Sequence, residues 1–195
     1  MESLLPLVGF AFISSVTPGP NNILLWASGA AFGLRRTAAH IVGTAIGLGS
    51  MALLVAAGLG VLITTVPSLA MALKIGGSIY LLYLAYRIAG AHALERAEVA
   101  RPLSLVEAAL FQAINPKAWI FALGAVTAFR PATLSVVPGT LLIAATMMLV
   151  IVPSAAIWAA GGGILAKLIE GHRERRAVSL ILAVALAATV VSVWL

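Results

Sequence analysis

Four stretches of this chain are uncharged over lengths that no soluble fold could bury. Residues 3–34, 37–73, 131–166 and 177–195 contain no Asp, Glu, Lys or Arg. A helix needs about 20 apolar residues to cross the hydrocarbon of a bilayer. Charged residues make up 9% of the chain, against roughly 25% in a soluble domain. No segment is long enough to form a separate soluble domain, so residues 1–195 read as one transmembrane domain. Residues 1–3, Met1-Glu2-Ser3, lack the basic stretch that opens a signal peptide, so the first helix is expected to be retained.

The apolar pattern predicts an all-α integral membrane protein with six spans, near 4–33, 38–64, 69–89, 104–129, 136–165 and 177–194. The loops after spans one, three and five hold Arg35, Arg36, Arg87, Arg96, Arg101, Lys167, Arg173, Arg175 and Arg176. The opposite side holds Lys74 and Arg130. The positive-inside rule then places these loops in the cytoplasm and both termini outside, in a bacterial-type inner membrane. The net charge of +6 is thus a topology signal, and nucleic acid is not an expected partner. The polar stretch 91–103 divides the chain into repeats 1–90 and 104–195. With three spans each, two related halves would be inverted, as in many secondary transporters.

Spans one and four are interrupted at matching places. Span one carries Thr17-Pro18-Gly19-Pro20-Asn21-Asn22 and span four carries Asn115-Pro116-Lys117. Proline removes a backbone donor, and broken backbone survives at membrane depth only where it lines a cavity or is buried in protein. Thr17 before Pro18, and Asn115 before Pro116, each read as an N-cap followed by proline at the first helical position. Each second half-helix would begin at mid-membrane with free N–H groups and a positive dipole end, a setting for a carboxylate. Lys117 adds a charge costing about 2.5–3.5 kcal/mol at a span centre, which implies a polar cavity or a partner. Asn21, Asn22 and Asn115 supply amides for an ammonium or a side chain.

Other features have plainer readings. Pro153 is a kink. Glu107 is an intramembrane acid and so a candidate for proton coupling, but Ser104 and Glu107 also form a capping box, the favoured reading. Gly43, Gly47 and Gly161-Gly162-Gly163 suit close helix packing, and the Gly43/Gly47 spacing also permits a homo-oligomer. Tyr80, Tyr83 and Tyr86 fit packing or interfacial roles. His40, His92 and His172 are far apart and read as surface or loop residues rather than a metal cluster. There is no cysteine, which excludes disulfide exchange and thiolate chemistry.

On the motif pair Thr17-Pro18-Gly19-Pro20 and Asn115-Pro116-Lys117, the chain resembles the LysE/RhtB amino-acid exporters. Gly33 before the basic loop, the Gly43/Gly47 spacing and residues 74–81, Lys74-Ile75-Gly76-Gly77-Ser78-Ile79-Tyr80-Leu81, extend the resemblance across the chain. It implies efflux of amino acids or derivatives, driven by the proton gradient, without a cofactor. The carried-over motif residues are Pro18, Gly19, Pro20, Asn115, Pro116 and Lys117. Met51 stands where many relatives have a histidine in the second span. The expected mechanism is alternating access around a site formed by residues 17–22 and 115–117. Export of another small solute, a metabolite or an ion, is the alternative on the same architecture. A metal cargo is disfavoured by the missing acidic and histidine clusters, an enzyme by the missing nucleophile–base pair, and a structural subunit by the two breaks and the costly lysine.

Overall fold

The computed structural model describes residues 4–90, 101–169 and 171–194, and these form helices with no strand among them. Helix α1 (Leu4–Val16) stops at the Thr17-Pro18-Gly19 break, and α2 (Pro20–Leu54) begins directly after it. A π-helical turn (Val55–Leu59) leads into α3 (Gly60–Thr65), and Pro67 opens α4 (Pro67–Gly90). Helices α5 (Leu105–Ile114) and α6 (Pro116–Phe129) meet at Asn115 with a 78° bend. Helix α7 (Val136–Leu168) carries Pro153 without ending there, and α8 (His172–Ala188) and the short α9 (Val191–Trp194) complete the described chain. Among the described residues, three helices are long and apolar enough to cross a membrane, or four if the bent pair counts as one span.

The 46-residue helical run from Pro20 to Thr65 is folded on itself. Gly33 has φ 77° and ψ 165°, a conformation that side chains resist, and it breaks α2 into two arms. Ser28 and Thr37 share a hydrogen bond of 3.0 Å, and Thr44 Oγ1 donates to Asn21 Oδ1 at 3.2 Å. Seven residues down one arm, about two turns, thus correspond to seven residues up the other. That is antiparallel pairing, with Arg35 and Arg36 at the tip.

Helix α7 packs against both α2 and α1, α5 against α2, and α4 against α8. The apolar core lies in two main parts. Leu7, Ala11, Leu48, Met51, Phe121, Ile143 and Met147 join α1, α2, α6 and α7. Ile23, Leu24, Leu81, Phe111 and Leu186 join α2, α4, α5 and α8. Met51 is thus buried among apolar side chains. The outer surface is apolar as well, Leu5, Leu149 and Leu168 being among its most exposed side chains. Polar side chains such as Asn21, Thr44, Gln112 and Asn115 are buried instead. This is the distribution of a protein whose solvent is lipid.

Gly43 and Gly47 lie against the α5 backbone at Leu105 and Ala109, so this GxxxG stripe is used within the chain. Gly162 lies against the Trp26 carbonyl, whereas Gly161 faces open space. Tyr80 stacks near Tyr83 and Phe111, and Tyr86 is exposed. His40 corrects the surface reading: it is 1% exposed on α2, and neither ring nitrogen has a hydrogen-bond partner. It lies three residues from Thr37 and four from Thr44, on the buried face of that arm. His172 opens α8 and is exposed, and His92 lies outside the described residues.

Candidate functional site

The two breaks meet, and Lys117 joins them at an exposed edge of the site. Its ammonium donates to the Thr17 carbonyl, to Thr17 Oγ1 at 2.8 Å and to the Pro18 carbonyl at 3.4 Å. These carbonyls follow the end of α1, where the chain has no further helical turn to supply donors. Asn22 does the same work from the other side, its Nδ2 donating to the carbonyls of Ser15 and Thr17 at 2.8 Å each. The Lys117 stem runs over Gly19, and a Cβ at Gly19 would come within 2.6 Å of Lys117 Cδ. Gly19 itself is extended, φ −170° and ψ 174°, so its small size matters here rather than its freedom.

The two half-helix starts differ. Asn115 caps α6 as expected: its Oδ1 accepts from the Lys117 backbone N–H at 3.2 Å, and Pro116 occupies the first position. Thr17 does not cap α2, which corrects the first N-cap reading. Gly19 is the N-cap and Pro20 opens the helix. The Thr17 hydroxyl instead donates to the Ser14 carbonyl at 3.1 Å and accepts from Lys117. Helix α2 therefore starts with no side-chain cap, and its first N–H groups keep their positive field.

A buried amide chain continues inward. Asn21 Oδ1 accepts from Thr44 Oγ1 and from Gln112 Nε2 at 3.1 Å, and Asn115 Nδ2 donates to Gln112 Oε1 at 3.3 Å. Around this network is a cavity of about 40 Å³. Gly19, Asn21, Asn22, Asn115 and Lys117 line it, whereas Thr17, Pro18, Pro20 and Pro116 shape the backbone beside it. Ser14, Ser15, Thr44, Gln112 and Ser154 also line it and were not singled out from the sequence. Gln112 was readable, since it stands three residues before Asn115 and shares its helical face. Ser154 and Thr44 lie far in sequence from both proline breaks, and only packing brings them here.

Ligand pockets are commonly about 300–1,000 Å³, so a cavity this small is contracted and must widen to admit a solute. Its chemistry is one ammonium, one uncapped helix start, three amide side chains from spans one and four together with Gln112, and no carboxylate. Such a set suits an anionic group beside neutral donors and acceptors. No group of three or more His, Cys, Asp or Glu that could hold a metal occurs among the described residues. Glu107 stands apart at the start of α5. It forms the capping box with Ser104, accepting from the Ser104 N–H at 2.8 Å while its own N–H donates to Ser104 Oγ at 3.2 Å. Its carboxylate also takes Arg101 at 2.6 and 2.7 Å. That hydrogen-bonded carboxylate pushes the Arg101 guanidinium up from its ordinary value and holds it charged.

A family model described as LysE type translocator matches residues 12–193. Curated relatives named "Cysteine/O-acetylserine efflux protein" include one from Escherichia coli (strain K12) and one from Shigella flexneri, each 28% identical over 121 residues. A third, from Escherichia coli O6:K15:H31 (strain 536 / UPEC), is 27% identical. Each match covers 62% of this chain and 62% of the relative's length. No solved structure matches.

Proposed function

The chain belongs to the LysE type translocator family, and from that membership we propose that it is a secondary transporter exporting amino acids or their derivatives across the inner membrane. The observation that carries the site is the reach of Lys117, on the second broken helix, to the carbonyls that end the first. A substrate carboxylate would compete for that ammonium, because a bond between two charged groups is stronger than one to a neutral carbonyl. Its other oxygen would meet the uncapped start of α2. Asn21, Asn22, Asn115 and Gln112 would hold the ammonium end. Drawing Lys117 off Thr17 and Pro18 unfastens the two breaks from each other, and that release is the proposed link between binding and the alternation of access.

We read residues 1–90 and 104–195 as inverted repeats joined by the cytoplasmic loop 91–103, with both termini outside. Packing supports this. Exchanging spans one, two and three for four, five and six turns the packing of α5 on the second arm of α2, at Gly43 and Gly47, into that of α1 on α7, and maps α4–α8 onto itself. The proton gradient is the proposed energy source. Glu107, engaged by Ser104 and Arg101, supports a capping role better than a proton-carrying one. The proposed work is solute movement, with no chemical reaction and no cofactor. Cysteine and O-acetylserine, named for the relatives, are the first substrates to test.

The test is efflux from cells loaded with dipeptides, comparing wild type, Lys117→Ala and empty vector, with all amino acids and O-acetylserine quantified in the medium. One of these should appear faster with wild type alone, and Lys117→Ala should fall to background while remaining in the membrane. Full transport by Lys117→Ala would overturn the site. No difference for any amino acid would overturn the substrate class and move the reading to another small metabolite or ion.

A further inference from the structure

Beside the central cavity lies a larger cleft of about 280 Å³, open on the outer face, where its lining residue Ile157 is 65% exposed. It is walled by Val16 at the end of α1, Trp26 on the first arm of α2, and Ser154, Ile157, Trp158 and Gly161 on α7. The four α7 residues follow the i, i+3, i+4, i+7 spacing of one helical face. Ser154 lines both cavities, so its side chain is the partition between them. The Trp26 and Trp158 rings lie 5.6 Å apart, tilted by 55°. No charged side chain lines this second space.

Two hydrogen-bond donors of its walls are orphaned. Trp26 Nε1 and Ser154 Oγ are both buried, and neither has a partner. A buried donor left without an acceptor costs about as much as a lost hydrogen bond, and buried indole N–H groups usually find one. The neighbouring amides show that this bundle does pair its polar groups when the chain supplies the partners. A solute that carries an acceptor would satisfy them.

We propose that the exported molecule lays its side chain past Ser154 into this aromatic cavity, which admits uncharged side chains, favours those carrying a hydrogen-bond acceptor and refuses charged ones. The inference rests on the amino-acid export reading and names the substrate class of that site. The α-carboxylate and ammonium stay with Lys117 and the amide chain. Beyond Ser154 the tryptophans and Ile157 offer apolar contact. An ester, amide, hydroxyl or thioether along the side chain accepts from Ser154 Oγ–H or Trp26 Nε1–H once the partition widens. An ammonium, guanidinium or carboxylate would lose its water there and find no counter-charge.

Gly161 provides the decisive variant. A Cβ at this position meets nothing within 4 Å, so a larger side chain enters the cavity without moving the backbone. Gly162 next to it abuts the Trp26 carbonyl and would not tolerate the same change. Export is measured in cells for a panel of alanine, serine, O-acetylserine, norleucine, lysine and glutamate. Wild type should export neutral members of every size and neither charged one. Gly161→Leu should keep alanine and serine and lose O-acetylserine and norleucine by roughly tenfold or more, the scale on which a fitted apolar pocket discriminates by size. Trp26→Phe removes the N–H and keeps a ring. It should lower O-acetylserine relative to norleucine by roughly tenfold, the net worth of one neutral hydrogen bond. Export of lysine or glutamate by wild type, or an unchanged size profile in Gly161→Leu together with an unchanged ratio in Trp26→Phe, would overturn the inference while leaving amino-acid export standing. No export of any member by wild type would instead bring down the reading beneath it.

Discussion

Gly19→Ala tests whether Lys117 holds the two breaks together. The backbone of Gly19 is extended, so alanine adopts it without strain. The three nearest neighbours of the new Cβ are atoms of Lys117, with Cδ at 2.6 Å and Nζ at 3.3 Å. Carbon atoms rest about 3.5–4.0 Å apart, so the lysine stem must move by about 1 Å. Moving it that far takes the longest of its three bonds, that to the Pro18 carbonyl at 3.4 Å, out of hydrogen-bond range. A hydrogen bond to a charged group contributes about 1.5–3 kcal/mol, so the substitution should destabilise by about 2 kcal/mol. In the Lys117→Ala background the obstacle is gone, and Gly19→Ala should cost less than about 0.5 kcal/mol, the limit within which independent sites add. The assay is a double-mutant cycle on the purified protein in detergent, read as the unfolding midpoint, with efflux measured alongside. The same cost in both backgrounds would refute the reasoning, because it would mean that Gly19 is required for something other than the passage of Lys117.

Two buried polar residues should respond in opposite ways. Gln112→Leu leaves Asn21 and Asn115 short of partners and should destabilise by about 1–3 kcal/mol, whereas His40→Leu removes no bond and should leave the unfolding midpoint unchanged or raise it. Ser104→Ala breaks the capping box and should cost about 0.5–2 kcal/mol of stability while leaving the apparent affinity for substrate unchanged in efflux assays, since Ser104 lies outside the cavity.

The class of the protein was legible because its signals are local. Uncharged runs longer than a bilayer is thick admit no soluble fold, whatever the topology. The break at Asn115-Pro116 was legible for the same reason: proline denies a donor and the preceding asparagine supplies an acceptor, both within one turn. Ser104 and Glu107 announced their cap in the same way. Thr17 marks where such reasoning stops. Its position before a proline suited a cap, but the Lys117 ammonium, 100 residues away, engaged its hydroxyl and Gly19 took the cap. Gly33 was visible as a glycine before a basic loop. That it folds α2 into an antiparallel pair depends on Thr37 and Thr44 finding Ser28 and Asn21. The burial of His40, the recruitment of Ser154 and the aromatic cavity behind it are equally tertiary. Periodicity says that a residue lies on a buried face, but not which helix covers that face. Sequence alone therefore determined that the chain lives in a membrane and where its helices break. Only the packing of helices distant in sequence decided which polar groups meet at those breaks and which are left without a partner.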